Sequence, residues 1–144
     1  VAGRTSLMAD KALNLYKGLS ATPVSATWVT LFTTNPSSDH PTAHAAVEWG
    51  PPRVRVFPNS GAGSPHWGDP EDFTQQIRMI RNVGSISWGS ITLTVSPSIL
   101  VGVGVFDAAS GGNLLTWDVI SPVRTVTDGE SHTIGTQDFK IKGD

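Results

Sequence analysis

The chain has no cysteine among its 144 residues. That excludes disulfide staples, thiolate nucleophiles and zinc–thiolate sites. Charge is scarce as well: Asp, Glu, Lys and Arg make up 15% of the chain, against roughly 25% in an ordinary soluble domain. Twelve acidic against ten basic residues leave a net charge of −2. A chain so balanced has no electrostatic case for binding nucleic acid or an anionic membrane. Long apolar runs are missing too, and none approaches the roughly 18–20 residues of a membrane-spanning helix. The opening residues lack the charged, apolar, then small-residue order of a signal peptide. Residues 1–7, ahead of Met8, are set apart as a candidate N-terminal extension. What the chain has in quantity is Gly (15) and Pro (10). That composition suits many short strands joined by turns, and the length suits a single domain spanning 1–144.

One helix is expected, from Met8 to Lys17. Met8, Ala9, Ala12, Leu13 and Tyr16 form one apolar stripe, Ser6 is placed to cap the start, and Gly18 suits the position after the end. A helix this short is marginal in water, so its stripe must pack on the domain or on a neighbouring subunit.

Beyond Pro23 the period changes to two. Trp28–Thr33 carries apolar groups on both faces, as in a strand buried on two sides. Arg53-Val54-Arg55-Val56 alternates, which places the valines inward and the arginines outward. Ile91–Val95, Ile99–Phe106, Leu115–Val119 and Phe139–Lys142 alternate in the same way. Weaker runs near 44–48, 77–82, 84–88, 123–126 and 131–134 bring the expected total to roughly eight to eleven strands. Ser110-Gly111-Gly112-Asn113 and Thr127-Asp128-Gly129-Glu130 read as hairpin turns, and Pro97 breaks the chain between two strands. The expected fold is all-β, an antiparallel, jelly-roll-like β-sandwich with one short N-terminal helix. Residues 58–72, rich in Pro and Gly, read as a long surface loop, and loops of that length often carry function.

No constellation for catalysis emerges. His40, His44 and Glu48 share a spacing that would align them on a helix and suit a metal, but Pro41 interrupts it, and a solvated loop is the better reading. Gly102 and Gly104 lack the third glycine and following helix of a dinucleotide site; close packing explains them instead. Asp69, Glu71 and Asp72 lie beside Trp67 without a partner set, and no serine sits in a Gly-x-Ser-x-Gly elbow. The chain is therefore expected to be no enzyme and to need no cofactor or metal. Of five tryptophans, Trp28, Trp88 and Trp117 lie in strand patterns and are assigned to the core. Trp67 has two readings of equal weight: a protein-contact anchor in the loop, or a side chain folded back on the sandwich.

Two stretches carry a resemblance. Thr27–Pro36 is a strand ending in a turn and follows the helical residues Ala12–Tyr16. Val103-Gly104-Val105-Phe106-Asp107-Ala108-Ala109-Ser110-Gly111-Gly112-Asn113-Leu114-Leu115 is a strand–turn–strand run, and Ile120–Ser131 follows it. Together they resemble a family of small tailed-bacteriophage virion proteins, of tail-fibre, minor-tail or head-decoration type. Pro58–Val83 departs from that pattern. The resemblance implies a structural role on the phage particle, assembled in the host cytoplasm, with the major capsid protein or other virion proteins as partners and a homo-oligomeric state.

The first expectation is a head-decoration protein that cements capsomer junctions, since binding the assembled state stabilises it by linkage. A minor tail or tail-fibre protein, with host carbohydrate as a conceivable ligand through Trp67 and Asp69, is the alternative. The candidate protein-contact residues are Leu13, Tyr16, Trp67 and Asp69. Sparse lysine leaves sheet edges lightly guarded, open to strand addition by a neighbour.

Overall fold

The computed structural model describes residues 3–20, 23–24, 26–72, 74 and 78–143; Val1 and Ala2 of the candidate extension and Ile77 of the 77–82 run lie outside them. In chain order they form β1 (Gly3–Arg4), α1 (Ser6–Tyr16), β2 (Thr27–Thr34), β3 (Val47–Glu48), β4 (Val54–Val56), β5 (His66–Trp67) and β6 (Glu71–Asp72). There follow β7 (Arg78–Val83), β8 (Ile86–Trp88), β9 (Ser98–Phe106), β10 (Leu114–Val126), β11 (His132–Ile134) and β12 (Lys140–Gly143). The large sheet has the order β1-β10-β9-β2-β3, with β4 also paired to β2. The opposing layer is built from β12-β7-β5, with β6 on β7, and from the pair β11-β8. All of these strand pairs are antiparallel.

The main core lies between the layers. Val29 and Leu31 of β2, and Val103 and Val105 of β9, meet Trp67, Ile86, Trp88 and Phe139. These side chains alternate with residues on the other face of the large sheet, as a period of two requires. That other face is not left to water. Phe32, Phe106, Leu114 and Trp117 form a second small core there, with Ala46 packed against it. Burial on both faces explains why β2 reads as a near-continuous apolar run. It also explains the glycines of β9: a Cβ on Gly104 would strike the Phe32 ring, and one on Gly102 would strike the Asn35 side chain. Close packing is thus what those positions serve.

Several local expectations change. α1 starts at Ser6, not Met8; Thr5 stands at its N-cap without a side-chain cap bond. Leu7 and Met8, half-buried, pack on the main core, so the packed face lies earlier in the helix than the stripe suggested. Arg53 precedes β4 and so escapes the alternation that placed it outward. Ile91–Val95 keeps the burial pattern of a strand, with Ile91 and Leu93 buried, but forms no ladder. Its hydrogen bonds go to the 128–130 turn: Ile91 N–H to the Glu130 carbonyl at 2.9 Å, and Leu93 N–H to Asp128 Oδ1 at 2.7 Å. That turn joins β10 to β11, which pairs with β8, so it carries the chain between layers rather than closing a hairpin.

The segment 58–72 is not wholly loop. Phe57 and His66 form a parallel bridge, with Phe57 N–H donating to the Pro65 carbonyl at 2.8 Å and Trp67 N–H to the Phe57 carbonyl at 2.9 Å. β5 and β6 then pair with β7. Asn82 of β7, fully buried, ties the C-terminal segment down: its side-chain NH2 donates to the Gly84 and Gly135 carbonyls, and its Oδ1 accepts from Phe139 N–H.

β10 departs from its partner midway. Val119 sits opposite Gly102 and Arg124 opposite Leu100, so a bulge containing Pro122 interrupts the longest strand.

Candidate functional site

The β9–β10 turn, Asp107–Asn113, is held by its own side chains and by Arg53. Gly111 and Gly112 supply positive φ angles of 61° and 70°, which a turn of this kind needs and glycine adopts freely. The Asp107 carboxylate accepts from Asn113 N–H at 2.7 Å and from the Asn113 side-chain NH2 at 2.8 Å. Arg53 Nη1 donates to the carbonyls of Ala108 (2.7 Å) and Gly111 (2.8 Å). Its Nε and Nη2 donate to the two oxygens of Glu48, each at 2.8 Å. The guanidinium carbon lies 3.6 Å over the Phe106 ring, and only 5% of the side chain is exposed. A planar fork serving two carbonyls, a carboxylate and a ring at once is geometry that lysine cannot supply. Burial works against the Glu48 carboxylate, but the Arg53 bond and charge outweigh it and hold the carboxyl below its ordinary range.

Beside this clamp, residues 35–46 run as an irregular strap over the second core. His44 packs edge-on to Phe106, ring centroids 5.9 Å apart. The helical spacing that would align His40, His44 and Glu48 is therefore not realised. Among the described residues, no group of three or more His, Asp or Glu side chains is arranged to hold a metal. Glu71 and Asp72 are instead paired with Arg81 and Arg78.

The four proposed contact residues fall in two places. Trp67 is 7% exposed; its indole N–H donates to Thr27 Oγ1 at 2.8 Å, and its ring packs 5.7 Å from Phe139. The folded-back reading is the one realised. Its remaining surface faces an apolar cleft of about 330 Å³ shared with Met8, Ile80, Leu115 and Ile141. Asp69 lies exposed nearby.

Leu13 and Tyr16 are different. They are 58% and 90% exposed, and Leu15 and Leu19 beside them are also in water. The sequence reading missed Arg53 and Asn82. Neither role carries a local signal, because Ala108 and Gly111 for Arg53, and Gly135 and Phe139 for Asn82, lie far along the chain.

These features describe an all-β sandwich with exposed apolar side chains at the end of α1 and a stiffened β9–β10 hairpin. No curated protein matches the chain. The family described as podophage GP4 fiber I protein gp80 matches over residues 4–142, which includes α1, the strap, the Arg53 clamp and the hairpin. The chain belongs to that family of phage fibre proteins and is a structural component of the virion.

Proposed function

We propose that the protein is a component of the tail fibre of a podophage, joined to its neighbours through the exposed end of α1. The observation that carries the fibre reading is the family match across nearly the whole chain. Head decoration, the first expectation from the sequence, draws no support from that match, and the tail alternative does.

The contact surface rests on Leu13, Leu15, Tyr16 and Leu19, four large apolar side chains exposed within two turns of chain. Scattered exposed apolar residues are ordinary, but a group of this kind, with a tyrosine at its centre, is what protein interfaces use. The occupant that best fits is a second copy of this chain. Asp10 and Lys17, both exposed, lie about two turns apart on the face that carries Leu13. They are equidistant from the Leu13–Asn14 peptide. A two-fold, antiparallel pairing of α1 sets each Asp10 against Lys17 of the partner subunit, with Leu13 between them.

The test is immunogold electron microscopy of the parent particles with antibody to this chain. Label on the tail is expected. Label spread over the head would overturn the fibre assignment in favour of decoration. Sedimentation of the isolated protein tests the pairing: a dimer supports it, and a monomer at micromolar concentration refutes it.

A further inference from the structure

The strap 35–46 is closed by Ser37 N–H and Oγ on the His44 carbonyl, at 2.8 and 3.2 Å, by Ser38 Oγ on the Ala43 carbonyl at 3.0 Å, and by two imidazole acceptors. Thr42 N–H and Ala43 N–H both donate to His40 Nδ1, at 3.2 and 2.9 Å. Ala46 N–H donates to His44 Nδ1 at 3.2 Å. A backbone N–H can only donate, so each Nδ1 must carry a lone pair, and the ring proton must sit on Nε2. Both imidazoles are therefore required neutral in the closed strap.

The strap also carries load for other elements. Ser6 N–H, at the first residue of α1, donates to the Asp39 carbonyl at 2.9 Å, and Leu114 N–H, at the start of β10, donates to the Pro41 carbonyl at 2.8 Å. These two anchors flank His40.

We propose that the strap is a proton-operated latch: uptake of one proton at each Nδ1 turns acceptor into donor, breaks the three bonds to the rings, and loosens the strap's hold on the start of α1. No covalent change is involved, and the protons come from solvent. The charged groups around His44 are Glu48 of β3, Arg53 of the clamp and His40 of the strap itself; Phe106 of β9 offers a ring. Burial pushes the His44 imidazole below its ordinary value; Glu48 pulls the other way, and Arg53 and His40 add to the push. The sign follows. His44, held neutral in the folded chain, contributes stability above its unfolded value of 6.5 and loses it as pH falls toward the lowered folded value. The asparagine carbonyl occupies nearly the place of Nδ1 and accepts without titrating, which makes His→Asn the informative change.

The experiment is residue-resolved hydrogen exchange on the intact chain between about pH 7.5 and about pH 5, corrected for intrinsic rates. Protection at Ser6, Thr42, Ala43, Ala46 and Leu114 is expected to fall about tenfold or more, while Leu31 and Val103 in β2 and β9 hold. In the H40N/H44N double variant that pH response should vanish. An unchanged strap in the wild type, an equal loss at Leu31 and Val103, or the same response in the double variant would each overturn the proposal. Should the double variant fail to fold, the wild type still decides. Nitrogen NMR must find both rings as the Nε2–H form at neutral pH, and the Ser6 and Leu114 amide shifts must titrate with the rings' own midpoints. Nδ1–H rings or unrelated midpoints refute the latch.

Discussion

Arg53 finds two carbonyls, a carboxylate and an aromatic ring within its own chain, whereas the last turns of α1 leave Leu13, Leu15 and Tyr16 in water. One region holds a charge and the other apolar area, and the fold disposes of them against expectation in both. At the hairpin a cation is drawn inside and every arm of its fork is used. At the helix, apolar area that could have been buried is left out. The difference teaches where this protein is complete and where, on the proposed pairing, it takes a neighbour. A contact surface is recognised by what the fold leaves unfinished.

The comparison can be broken at its stronger side first. Arg53→Ala removes the fork and leaves the Ala108 and Gly111 carbonyls and the Glu48 carboxylate without their donor. The expected cost is about 3 kcal/mol of unfolding free energy, read from urea denaturation. A loss under about 1 kcal/mol would mean that the hairpin stands without its clamp. Acid sharpens the same point more gently. The Glu48 carboxyl is held below its ordinary 4.5, so its contribution is present above about pH 4.5 and is lost as pH falls through the folded value. Glu48→Gln should flatten that acid limb of the stability curve; an unaltered limb would assign it to other carboxylates. At the open side the effect on stability should be smallest. The Leu13→Ser/Tyr16→Ser pair is expected to shift unfolding by no more than about 0.5 kcal/mol, while abolishing the dimer in sedimentation. A large loss of stability would instead mean that these side chains serve their own fold.

The sequence made one of these regions far more legible than the other. Two-sided burial in β2 was readable at Trp28–Thr33, and the β9–β10 turn at its paired glycines, because both signals are local. The exposed end of α1 was visible in its apolar stripe, although Leu7 and Met8 shifted the packed face toward the start. Arg53 was misplaced because alternation assigns a face only within a strand, and the strand begins one residue later. Trp67 was ambiguous because β5 has two residues and takes its identity from Asn82 and Val83, which no window around it contains. The 58–72 segment looked like loop for the same reason: proline and glycine are local, its pairing is not. Ile91–Val95 shows the converse, a strand-like pattern whose hydrogen bonds were claimed by a turn nearly forty residues away.

The bulge in β10 bears on how copies behave when crowded together. A fibre concentrates its subunits, and a long, flat strand at a sheet edge would invite them to polymerise without limit. Among the described residues, β10 is covered on its outer side by β1 only at Thr116 and Trp117. Past that point the strand buckles between Val119 and Arg124, and Pro122 presents no N–H to an incoming chain. The weak guarding that sparse lysine implies is thus made good by backbone shape. Strand addition along β10 is thereby disfavoured across the Val119–Arg124 stretch, where an incoming strand cannot keep its register.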